Sequence, residues 1–413
     1  MPAPTSARLL FSLVLAAATA TAQAPAEDCL RLARCCNAFA ADLVAKLPEN
    51  ARTCSPASIS IALLMLLPGA RGLTAAEIAN VLHLPVDLRD ERLSTAASQL
   101  LEQSGVVAGR NQARSEPAAL YLANDLWVQK GHALVDSYVA LLHGSFGADR
   151  RSVDFAAAPD AARQTINAHV AEATHDRIRD LIPPGLLDES TRVVLTNALW
   201  FKAAWEHPFS KAATQDAAFH LADGTSADVP MMRIAESFQY AEAADWQFLS
   251  MPFAAAHICF EAMLPCAGQS LASAEHTLLT RGHEQAIGWQ QVRVSLPRFR
   301  VAAGHFLREP LIALGMHDAF APGAADFSAM DPQKQLVVDD LVHRTWIDVD
   351  ENGAEAAAAT AMVLKAGAAA PRGEPKLFVA DRPFAFVLRD TRTGLVLFAG
   401  RVDDPRATKQ AGG

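Results

Sequence analysis

The spacing of apolar positions changes character along the chain, from helical in the first half to alternating in the second. In NAFAADLVAKLP, Phe39, Leu43 and Leu47 recur at helical spacing and Pro48 ends the run, which predicts an amphipathic helix. SPASISIALLMLLPGARGLTAAEIANVLHL opens with Ser55 as an N-cap and Pro56 at the first helical position. It turns at Gly69 to Gly72 and restarts at Thr74, with Glu77 three residues on as a capping box, so two successive helices are expected. Residues 85 to 116 are polar and weakly patterned and read as one short helix. ALYLANDLWVQ reads as a strand, and AARQTINAHVAEATHDRI as a helix stopped before Pro183-Pro184-Gly185. The near-continuous apolar run from Thr191 to Trp205, TRVVLTNALWFKAAW, suits a central strand buried on both faces. From about residue 214 strands dominate: SFQYAEA, QFLSMPF, HICFEAMLP, QVRVSLPRFRV, LVHRTWIDV, FVADRPFAFVLRD and GLVLFAGRV. Helices early and strands late, without strict alternation, predict an α+β fold. No internal repeat or linker interrupts it.

One stretch breaks the pattern. Between LVHRTWIDV and FVADRPFAFVLRD lies DENGAEAAAATAMVLKAGAAAPRGEPK, Asp350 to Lys376, small and mostly uncharged. Ala is the best helix former, yet the run stands between two strands.

Composition narrows the function. With 413 residues, 51% hydrophobic, the chain can bury one large core or two moderate ones. A formal net charge of -9 without a Lys/Arg cluster argues against a nucleic-acid partner, which needs a basic face. The start, MPAPTSARLLFSLVLAAATATAQ, has Arg8, an apolar run from Leu9 to Ala18 and a small-x-small ending before Gln23. It reads as a signal peptide, residues 1–22, cut after Ala22 and too short to span a membrane comfortably. Residues 23–413 are then the mature chain, exported and free of the membrane: secreted, or periplasmic in a bacterium. Six cysteines, Cys29, Cys35, Cys36, Cys54, Cys259 and Cys266, are too sparse for a disulfide framework and match no zinc spacing; buried thiols or one or two bridges are expected. No GxSxG, HExxH, Walker loop or GxGxxG is present, and the histidines are scattered singly, so no catalytic residue, metal or cofactor is expected.

The late motifs carry a resemblance. VLTNALWFKAAWEHPF, LPRFRV, LGMHDAF, ADFSAM, VVDDLVHRTWIDVDENGAEAAAAT, RPFAFVLRD and LVLFAGRVDDP, together with the early NAFAADL and SPASISIALLMLLPGARGLTAAEI, occur in the order found in the serpin family. The chain resembles these serine-protease inhibitors over almost its whole mature length. The resemblance implies a single domain with three β-sheets, about nine helices and an exposed reactive-centre loop, here residues 350–376. It implies a trap: a serine protease attacks the loop, forms an acyl-enzyme, and is carried away covalently bound as the cut loop inserts into the large sheet.

The loop fits that demand. In a central strand alternate side chains face a packed core. Ala354, Ala356, Ala358, Thr360, Met362 and Leu364 are all uncharged, while Glu355 and Lys365 fall in the other parity with Ala357, Ala359, Ala361 and Val363. Burying either charge unpaired would be costly, so the register is fixed with the charges outward. No proline occurs between Gly353 and Ala370, and Gly353 supplies a hinge. About ten new backbone hydrogen bonds at about 0.5 to 1.5 kcal/mol each would give on the order of 10 kcal/mol.

By the same resemblance, the hinge is Glu351, Gly353, Ala354, Ala356, Ala358 and Thr360. Ser55, Ser58, Asn197 and His343 match the polar cluster where the sheet parts, and Trp205, Arg298 and Glu351 match the point where insertion begins. Ala354 stands where many inhibitory members carry Thr or Ser. The cut falls at Gly367-Ala368 when placed from the hinge glycine and nearer Ala369 when placed from RPF, giving a window from Ala366 to Ala370. Small residues suit the shallow or broad pockets of elastase-like or subtilisin-like proteases; Lys365 or Arg372 would instead suit a trypsin-like one. A non-inhibitory carrier or chaperone is the alternative, and an exported enzyme a third class. The alanine-rich hinge favours inhibition. The chain is expected to be a monomer, and because residues 85 to 116 mix Arg with Asp and Glu, no heparin-type cofactor is expected.

Overall fold

A computed structural model describes residues 26–49, 52–89, 91–104, 106–108, 118–254, 257–281, 287–354 and 374–406. Eight α-helices lie among them: α1 (Glu27–Lys46), α2 (Pro56–Leu66), α3 (Gly72–Val81), α4 (Glu91–Gln103), α5 (Asp136–Phe146), α6 (Pro159–Ala173), α7 (Leu271–Thr280) and α8 (Arg308–Ala313). The strands are β1 (Val106–Ala108), β2 (Ala118–Gln129), β3 (Asp149–Val153), β4 (Val193–Ala204), β5 (Gln215–His220), β6 (Ser226–Glu242), β7 (Trp246–Pro252), β8 (Ile258–Pro265), β9 (Trp289–Pro297), β10 (Phe299–Phe306), β11 (Val342–Val349), β12 (Gly353–Ala354), β13 (Lys376–Val379), β14 (Phe384–Asp390) and β15 (Val396–Val402).

Seven strands form one sheet in the order β1-β2-β4-β12-β11-β10, with β3 beside β2. The remaining eight are continuous through the long β6, which pairs β5 and β9 and then, from Gln239, pairs β7. Counting β5, β6, β9 and β13 as one layer and β7, β8, β14 and β15 as another gives three sheets in an α+β fold. The apolar run from Thr191 becomes the central β4, as its composition requires. β8 and β14 are buried at every position, which suits their largely apolar sequences; Glu261 of β8 and Arg389 of β14, buried charges, pair with each other at 2.9 Å.

The main core lies between these sheets and α1, α2 and α7. Every residue of α2 is buried, the expected fate of a helix apolar all round. Ser55 caps it, accepting from the Ser58 N–H at 3.2 Å. A second core joins α6 to the outer face of the large sheet through Trp127, Phe155, Ile166, Val170 and Ala198.

Some expectations need correcting. Helix α3 begins at Gly72 with Arg71 as its N-cap, so Thr74 and Glu77 make no capping box. Thr74 Oγ1 instead accepts from the Asp326 N–H, and the Glu77 carboxylate from the N–H groups of His317 and Asp318, all at 2.8 to 2.9 Å. These side chains fasten a distant loop. Helices α5, α7 and α8 fall where none was predicted. All six cysteines are unpaired. Burial pushes the Cys36 and Cys259 thiols up to about 12, so neither is a nucleophile near neutral pH.

Candidate functional site

The large sheet is parted at its centre. β4 and β11 share no ladder among the described residues; β12 stands between them, with Gly353 opposite Ala204 and Ala354 opposite both Ala203 and Val349. Ala354 is fully buried there, and its inward position suits the methyl side chain. Gly353 has φ +154°, and a Cβ on it would lie 2.0 Å from the Ala203 carbonyl oxygen, so only glycine fits. At the other end of the gap, Val193 to Thr196 of β4 and Val342 of β11 face a cavity of about 240 Å³, closed by Leu181, Ile182, Leu186 and Met330.

The mouth of the gap is built from Trp205, Arg298 and Glu351. The Trp205 indole stacks on Phe253 with centroids 4.5 Å apart, and its Nε1–H donates to the Asp350 carbonyl at 2.9 Å. The Trp205 N–H donates to the Asn352 carbonyl and the Phe209 N–H to that of Glu351, at 2.8 and 2.9 Å. The Asp350 carboxylate in turn accepts from the N–H groups of Asn352 and Gly353. Residues 350 to 353 are thereby held against the end of β4. The Glu351 side chain is 1% exposed and takes Arg298 Nε at 2.8 Å to each oxygen, with Arg298 Nη2 and the Thr214 hydroxyl also donating. Burial opposes its ionisation, yet these bonds outweigh burial and hold the carboxyl below its usual value. An exposed ion pair would contribute little; this one has a buried carboxylate and a fork of donors.

Beneath the parting, His343 of β11 accepts the Ser55 N–H on Nε2 at 2.9 Å, leaving its proton on Nδ1. The Ser55 hydroxyl donates to the Leu397 carbonyl at 2.7 Å. Burial lowers the His343 pKa to about 3, so the ring is neutral. His305, its cross-strand partner on β10, stacks on it with centroids 6.4 Å apart and lies 2.8 Å from the Thr53 carbonyl. Ser58 is buried one turn into α2. Asn197 lies on β4 opposite Asn124, with its side chain outside what is described.

The structure therefore brings Ser55, Ser58 and His343 together, and Trp205, Arg298 and Glu351 together. Sequence reading missed Thr214 and His305, which lie far along the chain from Glu351 and Thr53. Ala356, Ala358, Thr360, Lys365, Ala366, Gly367, Ala368, Ala369, Ala370 and Arg372 lie outside the described residues, as do residues 1–22. No group of three or more His, Cys, Asp or Glu poised for a metal occurs among the described residues.

The central strands of the large sheet thus stand apart, with Gly353 and Ala354, the first residues of a long connection, paired between them. The family profile described as Serpin (serine protease inhibitor) matches residues 34–405. An uncharacterized serpin-like protein of Thermococcus kodakarensis is 37% identical over 380 residues, 90% of this chain and 85% of its own. Leukocyte elastase inhibitor of Bos taurus is 34% identical over 383 residues, 89% of this chain and 97% of its own. The crystal structure of Serpin48, a highly specific serpin of the insect Tenebrio molitor, matches with TM-score 0.77 at 29% identity, over 91% of this chain and 98% of its own. The chain belongs to the serpin family, a family of serine protease inhibitors.

Proposed function

We propose that residues 23–413 form an exported, single-domain, monomeric inhibitor that traps serine proteases as a suicide substrate. The protease serine Oγ bonds to the scissile carbonyl, the peptide C–N bond breaks, and the proton passes to the new amine. The cut loop then enters the gap between β4 and β11 before water can cleave the ester. The observation that carries this reading is the docking of Gly353 and Ala354 between β4 and β11: the first residues of the connection already occupy the place of an added strand. The uncharged parity beginning at Ala354 extends the same register into the sequence that follows.

The reactive bond is assigned to Gly367-Ala368, within the window Ala366 to Ala370, and the targets to elastase-like or subtilisin-like proteases. The name of the bovine relative, leukocyte elastase inhibitor, agrees with small residues at the cut. Mixing the protein with elastase, subtilisin and trypsin decides the matter on denaturing gels and by mass spectrometry of the released fragment. A complex that survives denaturation, with a new N-terminus between residues 367 and 370, is expected with the first two. Complexes with trypsin alone, starting at Ala366 or Gly373, would reassign the target. Loop cleavage with active protease and no complex would leave a non-inhibitory carrier. N-terminal sequencing of exported protein should begin at Gln23.

A further inference from the structure

The gap is flanked by more than its two strands. Helix α6 is fastened to the β2–β4 side: Ile166 and Val170 pack with Trp127 and Ala198, and His169 Nε2 lies 2.8 Å from the buried Asp125 of β2. Asn167 makes bonds of 2.8 Å to both the carbonyl and the N–H of Ile182 in the segment returning to β4. The helix ends in the turn His175-Asp176-Arg177, where His175 and Asp176 take left-handed φ angles of 50° and 64°. Two such non-glycine residues in succession persist only where their surroundings hold them. What the turn touches lies on both sides of the gap. The His175 ring lies 4.8 Å from that of Trp200 on β4, and the Arg177 guanidinium lies over Trp346 of β11, 4.9 Å from the ring centroid. A second guanidinium, Arg300, stands 5.6 Å from the same indole, but it belongs to β10, on the indole's own side, and pairs with Asp348.

We propose that Arg177 is a positioning residue that straps the two halves of the large sheet together and sets how fast a strand is taken up between them. The register supplies the reason. Extending β12 by three residues would place the new strand between Trp200 and Trp346. Each added strand widens a sheet by one spacing, about 4.8 Å. His175 and Arg177 are only two residues apart, and their turn is anchored on the β2–β4 side. His175 can remain on Trp200 as the sheet widens, but Arg177 cannot remain over Trp346. Uptake must break the guanidinium–indole contact, which therefore adds to the barrier. The strap retains the parted, uninserted state and slows trapping relative to hydrolysis of the acyl-enzyme.

This inference rests on the insertion reading above, and its test separates the two. A synthetic peptide of residues 354–365 is added to the intact protein, and uptake is followed by tryptophan fluorescence and by the gain in thermal stability, with no protease present. Arg177→Ala is expected to take up the peptide about 2- to 5-fold faster than the wild type, the range that a cation–π contact at a partly exposed site supports. Trp346→Val should be at least as fast. Arg300→Ala removes the other guanidinium from the same indole without touching the crossing and should match the wild type. With a target protease, Arg177→Ala should raise the ratio of trapped to released enzyme by a similar factor. Equal rates for Arg177→Ala and wild type, or equal acceleration by Arg300→Ala, would overturn the strap and leave insertion standing. No uptake by the wild type or any variant would overturn both.

Discussion

Replacing Gly353 by alanine should damage the strand-inserted form far more than the intact fold. The new Cβ would meet the Ala203 carbonyl oxygen at 2.0 Å and the Ala204 Cα at 2.8 Å, both backbone atoms of the central β4. Neither can swing aside, because β4 is paired along its length with β2, so β12 must retreat by about 1 Å or leave the gap. A retreat of that size forfeits about two to four backbone hydrogen bonds, about 2–4 kcal/mol at about 1 kcal/mol each. Holding alanine at φ +154° adds about 1–2 kcal/mol. The intact protein can escape most of this by undocking two residues; a form with the whole strand inserted cannot. Thermal scans of intact and loop-cleaved protein, with the stoichiometry of inhibition read from gels, measure the difference. For a chain of this length each kcal/mol shifts Tm by about 1–2 °C. The cleaved variant should therefore melt about 3–12 °C below cleaved wild type, with the intact forms nearly equal and a larger share of inhibitor cleaved without trapping. Wild-type melting in both forms with unchanged stoichiometry would refute the reasoning.

Three further substitutions test separate parts of the site. The Glu351 carboxyl is held below its usual value near 4.5, so its contribution is complete above that pH and is lost as pH falls through the folded value. Glu351→Gln should flatten acid unfolding below pH 5, the more modestly because Arg298 is 44% exposed; superimposable acid scans would count against it. His343 is kept neutral, its pKa lowered from 6.5 to about 3, so the unfolded chain binds the proton first and stability falls as pH drops from about 6.5. His343→Gln should remove up to about 1.4 kcal/mol per pH unit of that slope between pH 6 and 4 in denaturant titrations, and an unchanged slope would place the loss elsewhere. Ala356→Arg and Ala358→Pro should turn the inhibitor into a substrate, one by placing a charge in the inward parity and the other by removing a ladder donor. Stoichiometric inhibition by both would contradict insertion.

What the sequence made legible depended on how far apart the partners lie. The central position of β4, the full burial of α2 and the Ser55 cap follow from residues within one turn or one strand of each other. The Thr74 and Glu77 pair looked like a local capping box because its true partners, His317, Asp318 and Asp326, are some 240 residues away. Thr214 reaches Glu351 across 137 positions, and no pattern in either neighbourhood announces it. Helix α5 buries Tyr138, Leu142 and Phe146 at helical spacing, so its signal was present but short. Trp346 is different again: alternation assigns it to the outward face of β11, yet that face is where Arg177 crosses the gap. Parity tells which side a residue takes, not whether another element covers that side.

The half of the large sheet formed by β10 and β11 is tied to the start of the buried helix α2 by hydrogen bonds, and under the insertion reading these bear on how the sheet opens. β11 and β10 reach the start of α2 through directed bonds, Ser55 N–H to His343 and the Thr53 carbonyl to His305. A hydrogen bond weakens steeply once its angle or length is spoiled, so this half cannot slide without losing both. The contact of β4 with α2 includes apolar packing, which is non-directional and keeps most of its value as surfaces move past each other. Under the insertion reading, β2 and β4 would move together with α6, attached through Asp125, His169 and Asn167. Arg177 rides on that body and Trp346 on the other side of the parting, so their contact lies across the line along which the sheet would open.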